Sequence, residues 1–353
     1  MAETWTVKRV LDWTVGYLGR KGDERPRLSA EWLLSSVTGL SRVELYTNFD
    51  QPLSPEELAK MHAGVERRGR GEPLQYVTGE MPFRHIILRC EEGVLIPRPE
   101  TEVLVDAALE GIDAAIAAGQ VWDDVERRVS AGDEGKREER TSRASELREA
   151  LKSATSERQV DELLAELATL EAARASVPEG VRVLDLCTGT GCIALSLASE
   201  RRGTHVVATD LSPQAVALAK RNRAALGLDD AVDLYECDLA AAVPDELAGS
   251  FYVLVSNPPY IPSSVVPTLP SEVASFEPRL ALDGGPDGLD LFRRILDLAP
   301  QLLCAGGWLC VELFEENVYQ AAELCRAQGG WSRVEVRQDL THRPRVLVAV
   351  REG

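Results

Sequence analysis

The residues best suited to chemistry in this chain are Asn257-Pro258-Pro259-Tyr260, which follow the apolar run 251–256. Asn257 offers a side-chain carbonyl oxygen, and Pro258 lacks an N–H but still presents a carbonyl acceptor. Together they can hold both N–H bonds of an NH₂ group on an sp² carbon, while Tyr260 stacks on its plane. A proline turn that merely ends a strand would explain the prolines but neither the asparagine nor the tyrosine.

An NH₂ group of this kind is a poor nucleophile because its lone pair is delocalised. Fixing both N–H bonds can pyramidalise the nitrogen and direct its lone pair at an electrophile about 3–3.5 Å away, which requires no strong base. Once alkylated, the nitrogen becomes acidic and gives up its proton easily. The pattern therefore predicts transfer of a small alkyl group to an NH₂ nitrogen.

A glycine turn, Thr188-Gly189-Thr190-Gly191, lies between an apolar run and a run with helical spacing. Strand, turn and helix in this order are typical of the first unit of a nucleotide-binding sheet. Glycines let backbone N–H groups approach a ligand closely. The turn is not G-x-G-x-x-G and has no following Lys-Ser/Thr, so it does not predict a phosphate-binding loop.

Two carboxylates follow the next two predicted strands. Asp210 lies about 20 residues beyond the glycine turn, where an acid accepts hydrogen bonds from a ribose diol. Because Ser212-Pro213 follows it, capping of a helix is the alternative role of Asp210. Asp238 and Leu239 can offer a carboxylate and an apolar wall to an adenine. An adenosine site beside an alkyl-transfer site indicates the methyl group of S-adenosylmethionine as the electrophile.

A regular alternation of strands and helices from residue 181 would position these residues. Strand-like runs occur at 181–186, 204–210, 232–237, 251–256, 307–313, 332–337 and 345–350. Helical spacing occurs at 191–201, 213–226, 289–303 and 315–328. The pattern predicts an α/β fold with a seven-stranded, doubly wound Rossmann-like sheet. Its last strand should be antiparallel, because no helix separates the last two strands.

Three regions are predicted along the chain. Residues 1–73 show amphipathic helical spacing at 7–15, 28–37 and 55–68, and predict a small helical domain that binds substrate. Residues 74–97 predict a β-hairpin linker. Residues 98–353 then form the predicted methyltransferase domain.

Within the linker, strand-like runs occur at 74–79 and 86–90, with a turn expected at Met81-Pro82. A further strand is expected at 94–97, leading into a helix near Pro99. A charged insertion is expected at about 112–180, loosely ordered at first and then forming one or two long helices at 145–175. We expect no catalytic role for it.

Composition narrows the class of protein. The 353-residue chain has a formal net charge of −18, which gives no whole-chain reason to expect nucleic-acid binding. Seven cysteines without a C-x-x-C pair and four isolated histidines indicate reduced thiols in a cytosolic protein and no zinc site. No apolar run reaches membrane-spanning length. We expect a cytoplasmic monomer without a metal.

These motifs together resemble the release-factor glutamine-N5 methyltransferases, which methylate the glutamine of the Gly-Gly-Gln loop in class I peptide-chain release factors. The matching segments are 95–102, 185–191, 257–260 and 277–288, and the resemblance covers nearly the whole chain except about 112–180. It implies S-adenosylmethionine as cofactor, a class I release factor as partner, and an N-terminal domain that helps to hold the release factor.

The resemblance also implies roles for individual residues. The catalytic residues would be Asn257 and the Pro258 carbonyl, which grip the glutamine amide, with Pro259 and Tyr260 shaping its slot. The cofactor-binding residues would be Cys187, Thr188, Gly189, Thr190, Gly191, Asp210, Asp238, Leu239 and Asn257. The chain departs from the family in having Cys187 where glycine is usual, Leu239 where some members have an aromatic residue, and Glu312-Leu313-Phe314 where glycine closely follows the acid.

Three other functions fit part of the pattern. An adenine amino-methylase would use the same tetrapeptide on an exocyclic NH₂ group, but the acidic chain and the lack of a recognition domain argue against it. A methyltransferase acting on a glutamine of a ribosomal protein is compatible with the core motifs. A non-catalytic interaction protein could keep the fold, although the intact glycine turn, Asp210 and Asn257 argue against decay of the site.

Overall fold

The structure, a computed structural model, describes residues 4–119 and 181–353. Residues 112–117 form the end of a helix. The rest of the predicted insertion, with the helices expected at 145–175, lies outside the described residues apart from 118 and 119.

The N-terminal region forms four helices around a small apolar core. They are α1 (Val7–Arg20), α2 (Pro26–Thr38), α3 (Arg42–Thr47) and α4 (Pro55–Gly69). Leu11, Leu34 and Met61 from three of these helices pack in the same buried cluster. Ser41 and Ser54 each begin a helix with a reciprocal capping box. The predicted helical spacing at 7–15, 28–37 and 55–68 is confirmed.

The linker contains a hairpin, but its first strand is not where the sequence predicted it. Residues 74–79 were predicted to be a strand, yet they form α5 (Leu74–Thr78), which ends at Gly79 in the left-handed conformation. The hairpin pairs β1 (Glu80–Phe83) with β2 (Ile86–Arg89), so Met81-Pro82 lies inside a strand and not in the predicted turn. A two-stranded sheet has only edge strands, in which proline is tolerated.

The strand predicted at 94–97 is also wrong, because these residues pair with no strand. Packing onto α5 holds them instead. Ile96 shares a buried cluster with Tyr76 and Cys90, and the Tyr76 hydroxyl donates a 2.7 Å hydrogen bond to the Val94 carbonyl.

The seven-stranded sheet is confirmed. Its strands are β3 (Arg182–Leu186), β4 (His205–Asp210), β5 (Val232–Glu236), β6 (Phe251–Ser256), β7 (Leu303–Glu312), β8 (Trp331–Gln338) and β9 (Pro344–Arg351). They lie in the order β5-β4-β3-β6-β7-β9-β8. The last strand, β9, runs antiparallel to both of its neighbours, as predicted.

Helices cover both faces of this sheet. They include α6 (Thr101–Ala117), α7 (Cys192–Glu200), α8 (Pro213–Leu226), α10 (Asp290–Leu302) and α11 (Val318–Gln328). The short helix α9 (Ser271–Phe276) packs instead through Phe276 on the cluster of Tyr76, Cys90 and Ile96. Alternation along each strand sends Val183 and Val253 to the face under α6, α7 and α8, and Leu184 and Leu254 to the face under α10 and α11. In the described ranges no helix is long and apolar enough to cross a membrane.

The chain changes direction across the sheet at β3. From β3 it winds outward to β4 and β5, and it then returns to β6 on the other side of β3. A cleft at the carboxyl ends of the strands is expected at such a switch point. Both the glycine turn and Asn257 immediately follow strands that meet there.

Helix α6 approaches the sheet closely at Gly111. A Cβ atom placed on Gly111 would lie 3.0 Å from Cγ2 of Val253 and 3.1 Å from the Trp308 ring. The absent side chain therefore fixes the distance between α6 and strands β6 and β7, and α6 carries Thr101 at its first turn.

We predict that Gly111→Val destabilises the protein by about 2 kcal/mol, because added methyl groups would overpack this contact. The free energy of unfolding in denaturant measures the effect. Gly16→Val is the matched control: Gly16 is also inside a helix, but it is exposed and its nearest neighbour is the flexible end of Arg20 at 3.5 Å. Equal unfolding midpoints for the two variants would contradict the prediction.

Candidate active site

A cavity of about 550 Å³ opens at the carboxyl ends of β3 to β6. Most of the predicted site residues line it, namely Cys187, Thr188, Gly189, Thr190, Asp210, Asp238, Leu239, Asn257 and Pro259. Gly191, Pro258 and Tyr260 are not among its lining residues. The fold therefore brings the predicted cofactor residues to the same cavity as Asn257.

The two glycines of the glycine turn have different functions. Gly189 lines the cavity, has φ of 57°, and a Cβ atom there would meet no heavy atom within 4 Å. Gly191 has φ of 84° and packs closely on Leu195 and Ala219, so it is a packing residue at the start of α7. Cys187 also adopts a positive φ of 63°, which explains why glycine is favoured at this position.

Asp185 joins the end of β3 to both the glycine turn and α7. Its buried Oδ2 accepts hydrogen bonds from the Thr188 hydroxyl at 2.6 Å and from the Ala194 backbone N–H at 3.2 Å. The pKa of Asp185 is raised to about 7, mainly by burial and in part by the neighbouring Asp210, while the hydrogen bonds from Thr188 and Ala194 oppose the rise. This carboxyl was not among the predicted site residues. Its position at the end of a predicted strand, shortly before the glycine turn, could have indicated it.

Asp210 both faces the cavity and holds the glycine turn. Its Oδ2 accepts from the Gly189 N–H and its Oδ1 from the Ser212 N–H, both at 2.8 Å. Ser212, whose side chain accepts from Ala215, is the residue that caps α8. A carboxylate can accept about four hydrogen bonds, so Asp210 keeps capacity for ligand hydroxyls. Burial raises the pKa of Asp210, and the backbone N–H groups of Ser212 and Gly189 oppose that rise.

Asp238 is paired with an arginine that sequence reasoning missed. Nη2 of Arg294, on α10, lies 2.7 Å from Oδ2 of Asp238, and both side chains are about half exposed. Leu239 is buried and has φ of 49°. Arg294 also lines the cavity, so this wall presents an apolar side chain beside an ion pair.

Residues 257–260, the Asn257 turn, are anchored by two buried groups that were not predicted. Nδ2 of Asn257 donates to Oγ1 of Thr101 at 3.1 Å. The hydroxyl of Tyr260 donates to Oε1 of Glu312 at 3.0 Å. Burial raises the pKa of both Tyr260 and Glu312 above their ordinary values. Tyr260 therefore anchors the turn from beneath in this structure.

A glycine-rich loop, residues 282–290, holds the Asn257 turn from the other side. The Ile261 N–H donates to the Leu282 carbonyl at 2.9 Å, and the Gly284 N–H donates to the Ile261 carbonyl at 2.8 Å. A Cβ atom on Gly284 would lie 2.7 Å from both the Pro259 carbonyl oxygen and Cα of Tyr260. Only glycine fits there, which gives a physical reason for part of the matching segment 277–288.

Gly288 makes a second close contact with the turn. It has φ of 75°, and a Cβ atom there would collide with the Tyr260 carbonyl oxygen and lie 2.7 Å from Nδ2 of Asn317. The Asn317 Nδ2 in turn donates to the Asp287 carbonyl at 3.0 Å. The backbone of the turn is therefore enclosed by glycines on one side and by Tyr260 and Glu312 on the other.

An ion pair at the rim of the cavity joins two of the matching sequence segments. Arg98, which lines the cavity, pairs with the buried carboxylate of Glu277. Burial raises the pKa of Glu277, and the Arg98 charge opposes that rise. The pair fixes segment 95–102 to segment 277–288 beside Asn257. Within 4–119 and 181–353, no group of three or more His, Cys, Asp or Glu side chains could hold a metal ion.

The fold and the site together define a class. A seven-stranded sheet with an antiparallel last strand, and a ligand-sized cavity beside a glycine turn at its switch point, is an α/β methyltransferase. Two family profiles match the sequence, "PrmC N-terminal domain" over residues 9–79 and "Methyltransferase small domain" over residues 155–268.

Curated relatives identify the family. A release factor glutamine methyltransferase of Geobacter sulfurreducens is 40% identical, spanning 88% of this chain and 85% of the relative. Those of Rhodopirellula baltica and Deinococcus radiodurans are both 34% identical, spanning 98% of this chain and 98% and 99% of the relatives. This chain belongs to the release factor glutamine methyltransferase family.

We predict that Gly288→Ala destabilises the protein more than Gly39→Ala does. The two glycines have nearly the same φ, 75° and 73°, but the Cβ position of Gly39, which ends α2 in the left-handed conformation, is open. Gly39→Ala should cost about 1 kcal/mol of backbone strain, and Gly288→Ala roughly a further 1–3 kcal/mol from the collision with the turn. Denaturant unfolding measures both values, and equal losses of stability would show that the Gly288 contact does not restrain the turn.

A second prediction concerns the pH dependence of stability. Because the pKa of Asp185 is raised from 3.8 to about 7 on folding, the folded chain keeps a proton there that the unfolded chain has lost. This contribution destabilises the folded state progressively as pH rises from about 4 to 7 and is complete above that window. Asp185→Asn removes the ionisable group, so its unfolding free energy should fall less than that of the wild type between pH 5 and 8. Parallel curves would contradict the raised pKa.

Proposed function

We propose that this protein transfers a methyl group from S-adenosylmethionine to the side-chain amide nitrogen (N5) of the glutamine in the Gly-Gly-Gln motif of class I peptide-chain release factors. The observation that carries the proposal is that Asn257 lines the cavity and that a hydrogen bond to Thr101 fixes its side chain. Because Thr101 accepts from Nδ2, Oδ1 is the atom of Asn257 that remains for a substrate N–H. The names of the curated relatives supply the substrate.

The cavity suits the proposed cofactor. Asp210 retains acceptor capacity for the ribose hydroxyls, and the open space at Gly189 admits a close backbone approach. Leu239 offers an apolar surface to the adenine, while Asp238 and Arg294 supply polar groups beside it. S-adenosylmethionine, when bound, supplies an electrophilic methyl group. No metal enters the proposal.

The chain contributes positioning to the reaction and no strong base. The Asn257 Oδ1 and the Pro258 carbonyl would each accept one N–H of the glutamine amide, which orients the nitrogen lone pair toward the methyl carbon. As the new N–C bond forms, the S–CH₃ bond of the sulfonium would break and leave S-adenosylhomocysteine, a neutral thioether. The alkylated nitrogen is acidic and would release one proton to solvent. The product amide has a single N–H left for the two acceptors, so the protein holds the product less tightly than the substrate.

The remaining regions are proposed to bind and present the release factor. Residues 1–73 would form the substrate-binding domain, 74–97 the linker and 98–353 the catalytic domain. Trp13, Val43 and Tyr46 are exposed on the N-terminal helices and provide apolar surface for such a contact. The reaction would take place in the cytoplasm with a single copy of the chain, and no direct contact with nucleic acid is required.

We predict that the purified protein transfers label from methyl-labelled S-adenosylmethionine to a release factor, and that a Gln→Ala substitution in the Gly-Gly-Gln motif abolishes the label. Asn257→Ala should lower kcat by about 100-fold, because a misplaced nucleophile costs about this factor. Calorimetric titration should show that this variant still binds the cofactor.

The control acceptors are ribosomal proteins and adenine-containing nucleic acid. Label that persists on the Gln→Ala release factor would contradict the assigned nitrogen. No label on any release factor, with cofactor binding intact and label on one of the control acceptors, would replace the release factor with that acceptor as the substrate.

A further inference from the structure

A buried polar cluster lies beneath the Asn257 turn and consists of Thr101, Asn257, Tyr260 and Glu312. Thr101 is the first residue of α6, and Glu312 is the last residue of β7. Both are 1% exposed. Neither was predicted as a site residue, since each is far from Asn257 along the chain.

Glu312 holds the turn from beneath. Tyr260 donates to Oε1 of Glu312 at 3.0 Å. Burial raises the pKa of Glu312, and the Thr101 hydroxyl, the Tyr260 hydroxyl and the Arg345 charge oppose that rise.

Thr101 fixes the orientation of the Asn257 amide. Nδ2 of Asn257 donates to Oγ1 of Thr101 at 3.1 Å. Because Nδ2 is the donor of this side-chain amide and Oδ1 only accepts, the bond to Thr101 leaves Oδ1 for a ligand.

We propose that Thr101 is a positioning residue for methyl transfer, which fixes the Asn257 side-chain amide in the orientation that presents Oδ1 to the substrate NH₂ group. The inference rests on the proposed function, because it assigns Oδ1 as the acceptor of the glutamine amide. It adds that a threonine buried under the turn determines that assignment. Rotation of the Asn257 amide by 180° would present Nδ2, a donor, to the donor N–H groups of the substrate. The hydrogen bond between Asn257 and the substrate would then be lost.

The test compares Thr101→Val and Thr101→Ser in the full-length protein. Valine keeps the shape of threonine but cannot accept from Asn257, so kcat should fall by about tenfold, equivalent to one lost hydrogen bond of about 1.4 kcal/mol. The Kd for S-adenosylmethionine should stay within about twofold of the wild type, since only orientation of the acceptor is lost. Serine keeps the hydroxyl and should restore kcat.

Thr204→Val is the matched control for loss of a buried threonine hydroxyl. Thr204 is 3% exposed and directly precedes β4, so it lies at the amino-terminal ends of the strands, opposite the cavity. Its replacement should therefore leave kcat unchanged.

A double-mutant cycle separates positioning from general damage. If Thr101 acts through Asn257, Thr101→Val should have no further effect on the residual activity of Asn257→Ala. The proposal would be overturned if Thr101→Val lowered kcat by the same factor in the wild type and in Asn257→Ala. A wild-type kcat for Thr101→Val would also overturn it.

A measurement without substrate distinguishes failure of this inference from failure of the proposed function. Hydrogen exchange of the Asn257 side-chain NH₂, followed by NMR on asparagine-labelled protein, should be faster in Thr101→Val and unchanged in Thr101→Ser. The wild-type enzyme assayed with the release factor tests the function itself. An unchanged exchange rate in Thr101→Val would overturn the positioning role whatever the methyl acceptor proves to be.

Discussion

The backbone of the Asn257 turn must be held rigidly, because a side-chain amide is too weak a nucleophile to react unless it is oriented. The structure meets this constraint from two sides. Gly284 and Gly288 approach the turn so closely that no side chain fits between them, and Tyr260 is tied to the buried Glu312 beneath it. Positioning of this kind can supply a large part of a catalytic effect without any acid or base. In the proposed function, the other features of the site would place a methyl donor in front of a turn that is already fixed.

The half of the cavity proposed to hold the cofactor depends on two carboxyl groups, the buried Asp185 and the half-buried Asp210. Asp185 connects β3 to the glycine turn and α7, and Asp210 connects that turn to the end of β4. Asp210 accepts from a backbone N–H through each of its oxygens. Asp185 accepts from a hydroxyl and a backbone N–H through Oδ2, but its Oδ1 has no partner among the described residues, in keeping with its raised pKa. The reversal of winding at β3 then brings this half next to Asn257 at the end of β6. The Arg98–Glu277 pair closes the same edge of the cavity from outside the sheet.

Periodicity in the sequence predicted the sheet well, because seven apolar runs separated by helical spacing leave few alternative folds. It failed in the linker, where the five residues of α5 are too few to show a helical period, and where Pro82 suggested a turn inside what is an edge strand. The Asn257 turn and the glycine turn could be predicted as parts of one site, because each directly follows a predicted strand and these strands end at the same edge of the sheet. Thr101, Glu312 and Arg294 were missed, since their partners are distant in sequence and no local pattern signals such pairing.

The central claim is that two fixed carbonyl oxygens hold the NH₂ group of a glutamine side chain. A crystal structure of the protein with S-adenosylhomocysteine and a class I release factor tests it most directly. The account predicts the glutamine amide nitrogen within hydrogen-bond distance of both Asn257 Oδ1 and the Pro258 carbonyl oxygen, with Asn257 Nδ2 still on Thr101. A glutamine that lies outside the cavity, or that contacts Asn257 only through Nδ2, would contradict it.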